Sequence, residues 1–450
     1  MSQAAALVEF LNCPKCKQDV SLKDDSLSCN ACSIIFPNFN GIPWFFKSVD
    51  STILQWQARI SALLQKLEYQ KRLLQDDLLR VGLLPETKER LQCGVQGVER
   101  NLKSLKDLLS PLMGVQQKKP NDIVLSLIDK VPFEQTIDSY FVNIFRDWSW
   151  ETDENQLTLK ALVKVLPKDL KPQNIFFLGA GAGRLTYDLH QLLKPNVSVA
   201  VDINPLLMFV FKGLLEGKNY LLSETPIAPL TLKRIEVEHL LQRPGLKPEG
   251  ISFLFADACN LPVKPKSIDC IVTSWFIDIV KQDFKDFAKR INLSLKKGGH
   301  WINFGPLGFR HTNKNENYVI DEVNKIVKDL GFEIKSSYQE DIPYLSSPNS
   351  GNQRRERVFC YFAEKIQETK APAPFSTLPS WIQNPGESIP QPSTLSLQLS
   401  RHQLAFQILS TLDGKKSIDI VSLILSQHYK MPLEQAKEIV IGFLIEKFEH

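Results

Sequence analysis

Asn174-Ile-Phe-Phe-Leu178-Gly179-Ala180-Gly181-Ala182-Gly183-Arg184-Leu185 is the stretch that decides the fold. An apolar run, three alternating glycines and a helical pattern predict a buried strand turning sharply into a helix. Glycines let the backbone approach a ligand closely, and a helix N-terminus favours negative charge. Alone, such a turn also serves ordinary strand-to-helix corners, so the surroundings matter. Asp202 ends a second apolar run (197–201), where a carboxylate can accept from both hydroxyls of a ribose. Asp257, with Ala258 beside it, follows a third run (251–255), placed to reach the exocyclic amine of an adenine. Two more runs, 270–273 and 300–304, complete a set of strands separated by helical stretches. That alternation predicts an α/β fold with a doubly wound, mostly parallel sheet.

Two nucleotide ligands compete for this site. A dinucleotide needs room for a pyrophosphate and the G-x-G-x-x-G spacing, which is absent here. S-adenosyl-L-methionine carries no phosphate; its amino and carboxylate groups suit a G-x-G-x-G turn. The turn Leu295-Lys-Lys-Gly298-Gly299 before the last strand is similar to that of class I methyltransferases. The expectation is a Rossmann-like class I methyltransferase domain with S-adenosyl-L-methionine as cofactor, held by Gly179, Gly181, Gly183, Arg184, Asp202, Asp257 and Ala258.

Near the N-terminus, Cys13-Pro-Lys-Cys16 and Cys29-Asn-Ala-Cys32 form two C-x-x-C pairs with twelve residues between them. Each pair can aim two thiolates at one point, so the four supply the soft ligands of a closed, structural Zn2+ site. The stretch CNACSIIFPNFNGIPWFF from Cys29 resembles the small zinc ribbons that act as activator partners of methyltransferases. The resemblance implies a partner-like module fused to an enzyme.

Charge and length narrow the class further. At 450 residues with a net charge of +4, the chain is long enough for several domains and too weakly basic to argue for nucleic acid by itself. No run of about 18 apolar residues occurs, and residues 1–11 lack a secretory pattern, so no membrane association and a reducing, cytoplasmic location are expected. Residues 53–112 carry leucine-rich seams spaced three and four apart, broken at Gly82-Leu-Leu-Pro85, and predict two antiparallel helices. The domains expected are a zinc ribbon (1–48), a helical hairpin (49–120), the methyltransferase domain (121–368), a Pro-rich linker (369–398) and a small helical module (399–450). That last module places Leu404, Ile408 and Leu412 on one face and loosely resembles winged-helix, PqqD-like peptide-binding modules. A peptide partner is the corresponding expectation.

Four further stretches, in order, resemble the carnosine N-methyltransferase family: Phe145-Arg-Asp-Trp-Ser149, Gly179–Leu185, Ser274-Trp-Phe-Ile-Asp278 and Trp301-Ile-Asn-Phe-Gly-Pro-Leu307. The resemblance covers roughly residues 130–365 and implies methylation of an imidazole nitrogen in a histidine-containing small molecule or peptide. Asp278 maps onto the family's imidazole-orienting acid, and His311 is the histidine nearest the family's position, one place late. Trp275, Phe276, Gly305, Pro306, Phe309 and Arg310 are the candidate substrate contacts. Where the family has tyrosines, this chain reads Gln353-Arg-Arg-Glu-Arg357, which points either to a more acidic substrate or to an ordinary charged hairpin surface. His190 and His239 read as structural residues in helices. An rRNA or tRNA base methyltransferase and a non-catalytic scaffold are the alternatives.

Overall fold

The computed structural model describes residues 3–114, 136–372 apart from 246 and 312, the single residue 386, and 395–448 apart from 414. The expected linker lies almost wholly outside the described residues. The chain divides into two units, Met1–Phe375 and Ser376–His450.

In the first unit a short helix, α1 (Gln3–Leu7), precedes three antiparallel strands, β1 (Ser21–Lys23), β2 (Ser26–Cys29) and β3 (Ile34–Phe36), and a small pair, β4 (Asn38–Phe39) and β5 (Ile42–Pro43). Two long helices follow, α2 (Val49–Leu78) and α3 (Pro85–Met113), the second opened by a proline whose ring presets the first helical φ. Gln57 donates to the Leu112 carbonyl, Lys106 meets Glu68, and Leu74 lies against Gly94, so the two helices run antiparallel.

Two short helices, α4 (Phe141–Trp148) and α5 (Glu154–Val163), lead into the main sheet. Its strands are β6 (Asn174–Leu178), β7 (Val197–Asp202), β10 (Ile251–Phe255), β11 (Ile268–Ser274), β12 (Leu295–Gly305), β13 (Phe332–Pro343) and β14 (Arg355–Lys365). The helices between them are α6 (Arg184–Leu193), α7 (Pro205–Leu215), α8 (Phe284–Ser294) and α9 (Ile320–Asp329). A hairpin, β8 (Tyr220–Glu224) and β9 (Val237–Leu241), is inserted after α7. The seven strands lie in the order β10-β7-β6-β11-β12-β14-β13, all parallel except β14. This is the class I methyltransferase fold.

Both faces of the sheet are covered, so its central strands are apolar throughout and do not alternate. Phe176 and Leu178 face one layer with α8 and α9, whereas Ile175 and Phe177 face the other with α5 and α6. Each such fully buried side chain contributes on the order of 2 kcal/mol.

The ribbon and the hairpin helices are built into this unit. Leu7, Leu11, Leu27 and Phe36 share one core with Val199, Val201 and Leu254. Trp44 bridges Phe255 in parallel, and the Phe45 N–H donates to the Phe255 carbonyl at 2.8 Å. From α3, Asn101 exchanges two hydrogen bonds with the Ser223 backbone and Ser104 donates to Leu221 O. The hairpin is therefore docked on β8 along one side.

Three sequence expectations need correction. His239 lies in strand β9, not in a helix: its inward ring alternates with exposed neighbours, and a buried acid replaces the apolar contact that would have marked a strand. Leu295–Gly299 is part of β12, with a register shift against β11 where a separate turn was expected. Among the described residues the second unit holds three helices, α10 (Leu395–Thr411), α11 (Ile418–Tyr429) and α12 (Leu433–Phe448), around Ile408, Val421, Leu425, Ala436 and Val440. Leu412 lies past the end of α10 and is exposed, so it does not join Ile408 in that core.

Candidate functional site

The carboxyl ends of β6, β7, β10, β11 and β12 converge where an open α/β sheet binds its ligand. The glycine loop after β6 keeps φ at +66°, +59° and +88° for Gly179, Gly181 and Gly183, a region that L side chains rarely enter. A side chain at Gly179 would strike the Phe276 ring at 2.2 Å, and one at Gly183 would strike Phe211 at 2.0 Å. The loop is thus pressed between two aromatic rings. Behind it, Trp148 donates from Nε1 to the Ala182 carbonyl at 2.7 Å.

Asp202 ties the loop to the next strand: its Oδ2 accepts from Gly181 N at 2.9 Å and its Oδ1 from Asn204 N at 2.8 Å. Burial pushes this carboxyl up to about 6, against the N–H groups of Asn204, Gly181 and Ile203 that favour the anion. Asp257 caps the short turn containing buried Ala258, accepting from Cys259 N at 2.8 Å, and burial raises its carboxyl as well. Arg184 is placed differently from the expected cofactor contact. Its guanidinium pairs with Asp188 at 3.0 Å and donates to the Asp147 carbonyl at 3.0 Å, so it joins α6 to α4.

On the other side of the crevice, Trp275 leaves β11 with φ +52°, an uncommon conformation for a bulky residue. Its N–H donates to Phe304 O at 2.7 Å, and a side chain at Gly305 would come within 3.1 Å of its backbone. The Trp275 ring packs on Tyr344 with centroids 4.2 Å apart, and the Arg354 guanidinium lies over the Tyr344 ring, 4.8 Å from its centroid. Asp278 is 9% exposed and accepts from Gly308 N at 2.9 Å. Burial and the nearby Glu356 raise its carboxyl, while the Gly308 N–H and Arg310 oppose that.

The expected substrate contacts divide. Trp275, Phe276, Gly305 and Arg310 gather about Asp278 and the glycine loop, with Pro306 continuing the turn after β12. Phe309 turns instead into the core, edge-on to Tyr318 and beside Phe284. His311 packs on Phe309, its Nδ1 3.7 Å from Glu316, and no contact joins it to Asp278. Trp301 is fully buried and donates to Thr273 Oγ1, so it is core. The arginine run is engaged within its own hairpin: Arg354 pairs with Glu356, Arg355 donates to Asp341 O, and Arg357 donates two hydrogen bonds to the Asp341 carboxylate.

Several residues went unnoticed in the sequence. Tyr140 is half-buried just before α4, and the Asp202 charge adds to burial in raising its hydroxyl to about 12. Arg146 is largely buried between Asp147 (2.7 Å) and Glu154 (3.6 Å); burial works against its charge, and the two acids outweigh that. Tyr344 lacked any signal, whereas Arg146 stood within a motif already singled out.

At the N-terminus, ligand atoms of Cys13, Cys16, Cys29 and Cys32 all lie within 4.8 Å of one another, with Cys16 and Cys29 sulfurs 3.6 Å apart. Four sulfurs around one Zn2+ at about 2.3 Å stand about 3.8 Å apart. The quartet fits such an ion.

Comparison with known proteins places the central domain. Residues 224–367 match the family model for carnosine N-methyltransferase. The chain is 22% identical to carnosine N-methyltransferase of Dictyostelium discoideum, over 46% of this chain and 47% of that protein. It is 26% identical to carnosine N-methyltransferase unmet of Drosophila melanogaster, over 49% and 53%. The chain thus spans about half the length of the curated relatives it matches. Among solved structures, a SAM-dependent methyltransferase from Methanosarcina mazei superposes with a TM-score of 0.30 at 14% identity, covering 46% of this chain and 97% of that one. The resemblance read from the sequence motifs is upheld for the central domain; two of the four motifs, at Ser274–Asp278 and Trp301–Leu307, lie inside the family match, which stops short of the ribbon.

Proposed function

We propose that this carnosine N-methyltransferase-like domain is an S-adenosyl-L-methionine-dependent N-methyltransferase acting on an imidazole nitrogen of a histidine-containing small molecule or peptide. The observation that carries the reading is the buried Asp278 carboxylate beside the Trp275–Tyr344 stack, across the crevice from the Gly179–Gly183 loop and Asp202.

In this reading the glycine loop receives the amino-acid end of the cofactor, Asp202 accepts from the ribose hydroxyls, and Asp257 with Ala258 holds the adenine. When bound, S-adenosyl-L-methionine supplies the methyl group on a sulfonium leaving group. The Trp275–Tyr344 stack offers one aromatic wall beside Asp278 against which a planar acceptor ring can lie. Asp278 accepts from the opposite ring N–H, which fixes the tautomer. As the attacked ring becomes cationic, the same carboxylate stabilises it and then takes the N–H proton. Burial of Asp278 excludes water that would compete for that bond. Cys13, Cys16, Cys29 and Cys32 would hold a structural zinc ion, and the C-terminal unit would engage a peptide.

Methyl transfer from labelled S-adenosyl-L-methionine to carnosine, histidine, histidine-containing peptides and total RNA tests this. Transfer to an imidazole that falls about 100-fold or more in Asp278→Asn is the expected result. Label in RNA alone, or turnover indifferent to Asp278→Asn, would overturn it.

A further inference from the structure

Glu224 is the hub of a buried polar cluster that the chemistry above does not use. It ends β8 and is 4% exposed. Its Oε2 accepts from His239 Nε2 at 2.7 Å, Trp150 Nε1 at 3.0 Å and Asn349 Nδ2 at 3.1 Å, and the Ser347 hydroxyl bonds to the same carboxylate. Ser149 Oγ, 2.8 Å from His239 Nδ1, completes the chain and suits the tautomer that donates from Nε2.

These donors come from three places: strand β9, the segment just after α4, and the loop joining β13 to β14. That loop carries Tyr344 at one end and Arg354 at the other. Its base is closed on itself, Tyr344 N donating to Arg354 O at 2.9 Å and Ser346 Oγ donating to the same carbonyl at 2.8 Å. Its far end is fastened to the segment after Glu224. Gly351 N donates to Ala228 O at 2.8 Å, and Arg234 reaches the Pro348 carbonyl at 3.0 Å. The outer wall facing Asp278 is therefore hung from Glu224 and its following loop, while no hydrogen bond or ion pair ties it to the glycine loop, Asp202 or Asp257 among the described residues.

An acid buried among several donors is costly unless each bond is made. A carboxylate offers only acceptors, so it can satisfy all four donors; an amide of the same shape would turn an N–H2 group against some of them. The cluster's chemistry thus matches a task of holding a loop in one place.

We infer that Glu224 is a positioning residue for the methyl acceptor, seating the 344–354 loop so that Tyr344 and Arg354 stand correctly against Asp278. This rests on the acceptor side of the reading above, and it separates the two halves of the site. Loosening the loop costs acceptor recognition and spares the cofactor.

Glu224→Gln and Asn349→Ala, each made in the full chain, test it; Asn349→Ala leaves the carboxylate its other donors and so preserves the folded core. Both should raise the KM for carnosine about tenfold, with the Kd for S-adenosylhomocysteine, titrated calorimetrically, unchanged within about twofold. Amide hydrogen exchange over residues 345–353 should quicken in both variants with no reactant present. Unchanged exchange, or a parallel loss of S-adenosylhomocysteine affinity, would overturn the inference. If the unmodified chain methylates no imidazole, the functional reading falls, and the exchange measurement alone decides whether Glu224 seats the loop.

Discussion

Asp202 sits where burial and hydrogen bonding pull in opposite directions, and burial wins, raising its carboxyl to about 6. The unfolded value is near 4, so between about 4 and 6 the folded protein holds more protons than the unfolded chain. The contribution of Asp202 to the stability of the ligand-free protein should therefore be greatest below that window and be lost as pH rises through it. If Asp202 receives the ribose as proposed, binding needs the anion, so affinity for S-adenosylhomocysteine should weaken about tenfold per pH unit below about 6. Asp202→Asn should flatten that dependence and weaken binding above it; calorimetric titrations on both sides of about 6 check both statements, and an unchanged slope in the variant would refute the assignment. Asp202 and Asp257 were legible because a strand end is marked by its apolar run, and the residue after it has a predictable place. Tyr344 and Tyr140 were not, because they reach the crevice from segments whose path is set by distant contacts. Phe309 and His311 misled for the same reason: two residues beyond a motif, the chain had already turned into the core.

The glycine loop behaves as one element with the rings around it. Phe211, which a Cβ at Gly183 would strike at 2.0 Å, stacks on Trp148 at 5.9 Å, and Trp148 in turn holds Ala182 O. Gly183→Ala must strain the backbone at φ +88° and displace that stack, at a cost of about 2–4 kcal/mol. Gly181→Ala meets nothing closer than Gly179 O at 4.0 Å and should cost only the backbone strain, about 1 kcal/mol. Thermal unfolding of both variants measures the difference; equal losses would mean that the Phe211 contact relaxes freely. The strands β6 and β10 could be read to the residue, since burial on both faces leaves an uninterrupted apolar run. The β8–β9 hairpin could not, because a buried His239–Glu224 pair puts polar letters at inward positions and erases the period-two signal.

At the scale of the whole first unit, the ribbon's paired cysteines announced a module, and its attachment was invisible. Trp44 reads in sequence as one aromatic among several, yet it is fully buried 5.0 Å from Phe255 and donates to Thr52 Oγ1 at 2.8 Å, joining ribbon, α2 and the β10 edge. Trp44→Ala should cost about 3–5 kcal/mol, a large share of the roughly 5–15 kcal/mol that stabilises a typical domain. The cysteines bear on the same interface. Cys13 and Cys29 belong to the core that includes Val199, Val201 and Leu254 of the sheet. If the quartet holds zinc, the ion contributes its binding energy to folding the ribbon, and that ribbon covers apolar sheet surface that would otherwise meet water. Removing the metal with a chelator, or replacing Cys29 by serine, should therefore lower the melting temperature of the sheet-containing unit as a whole. A separate, early ribbon transition that leaves the main one in place would show instead that the two melt independently. Cooperative melting is expected because the β10 edge is completed by Trp44 and Phe45 and buried under Leu7 and Leu11, with no water-filled layer needed between them.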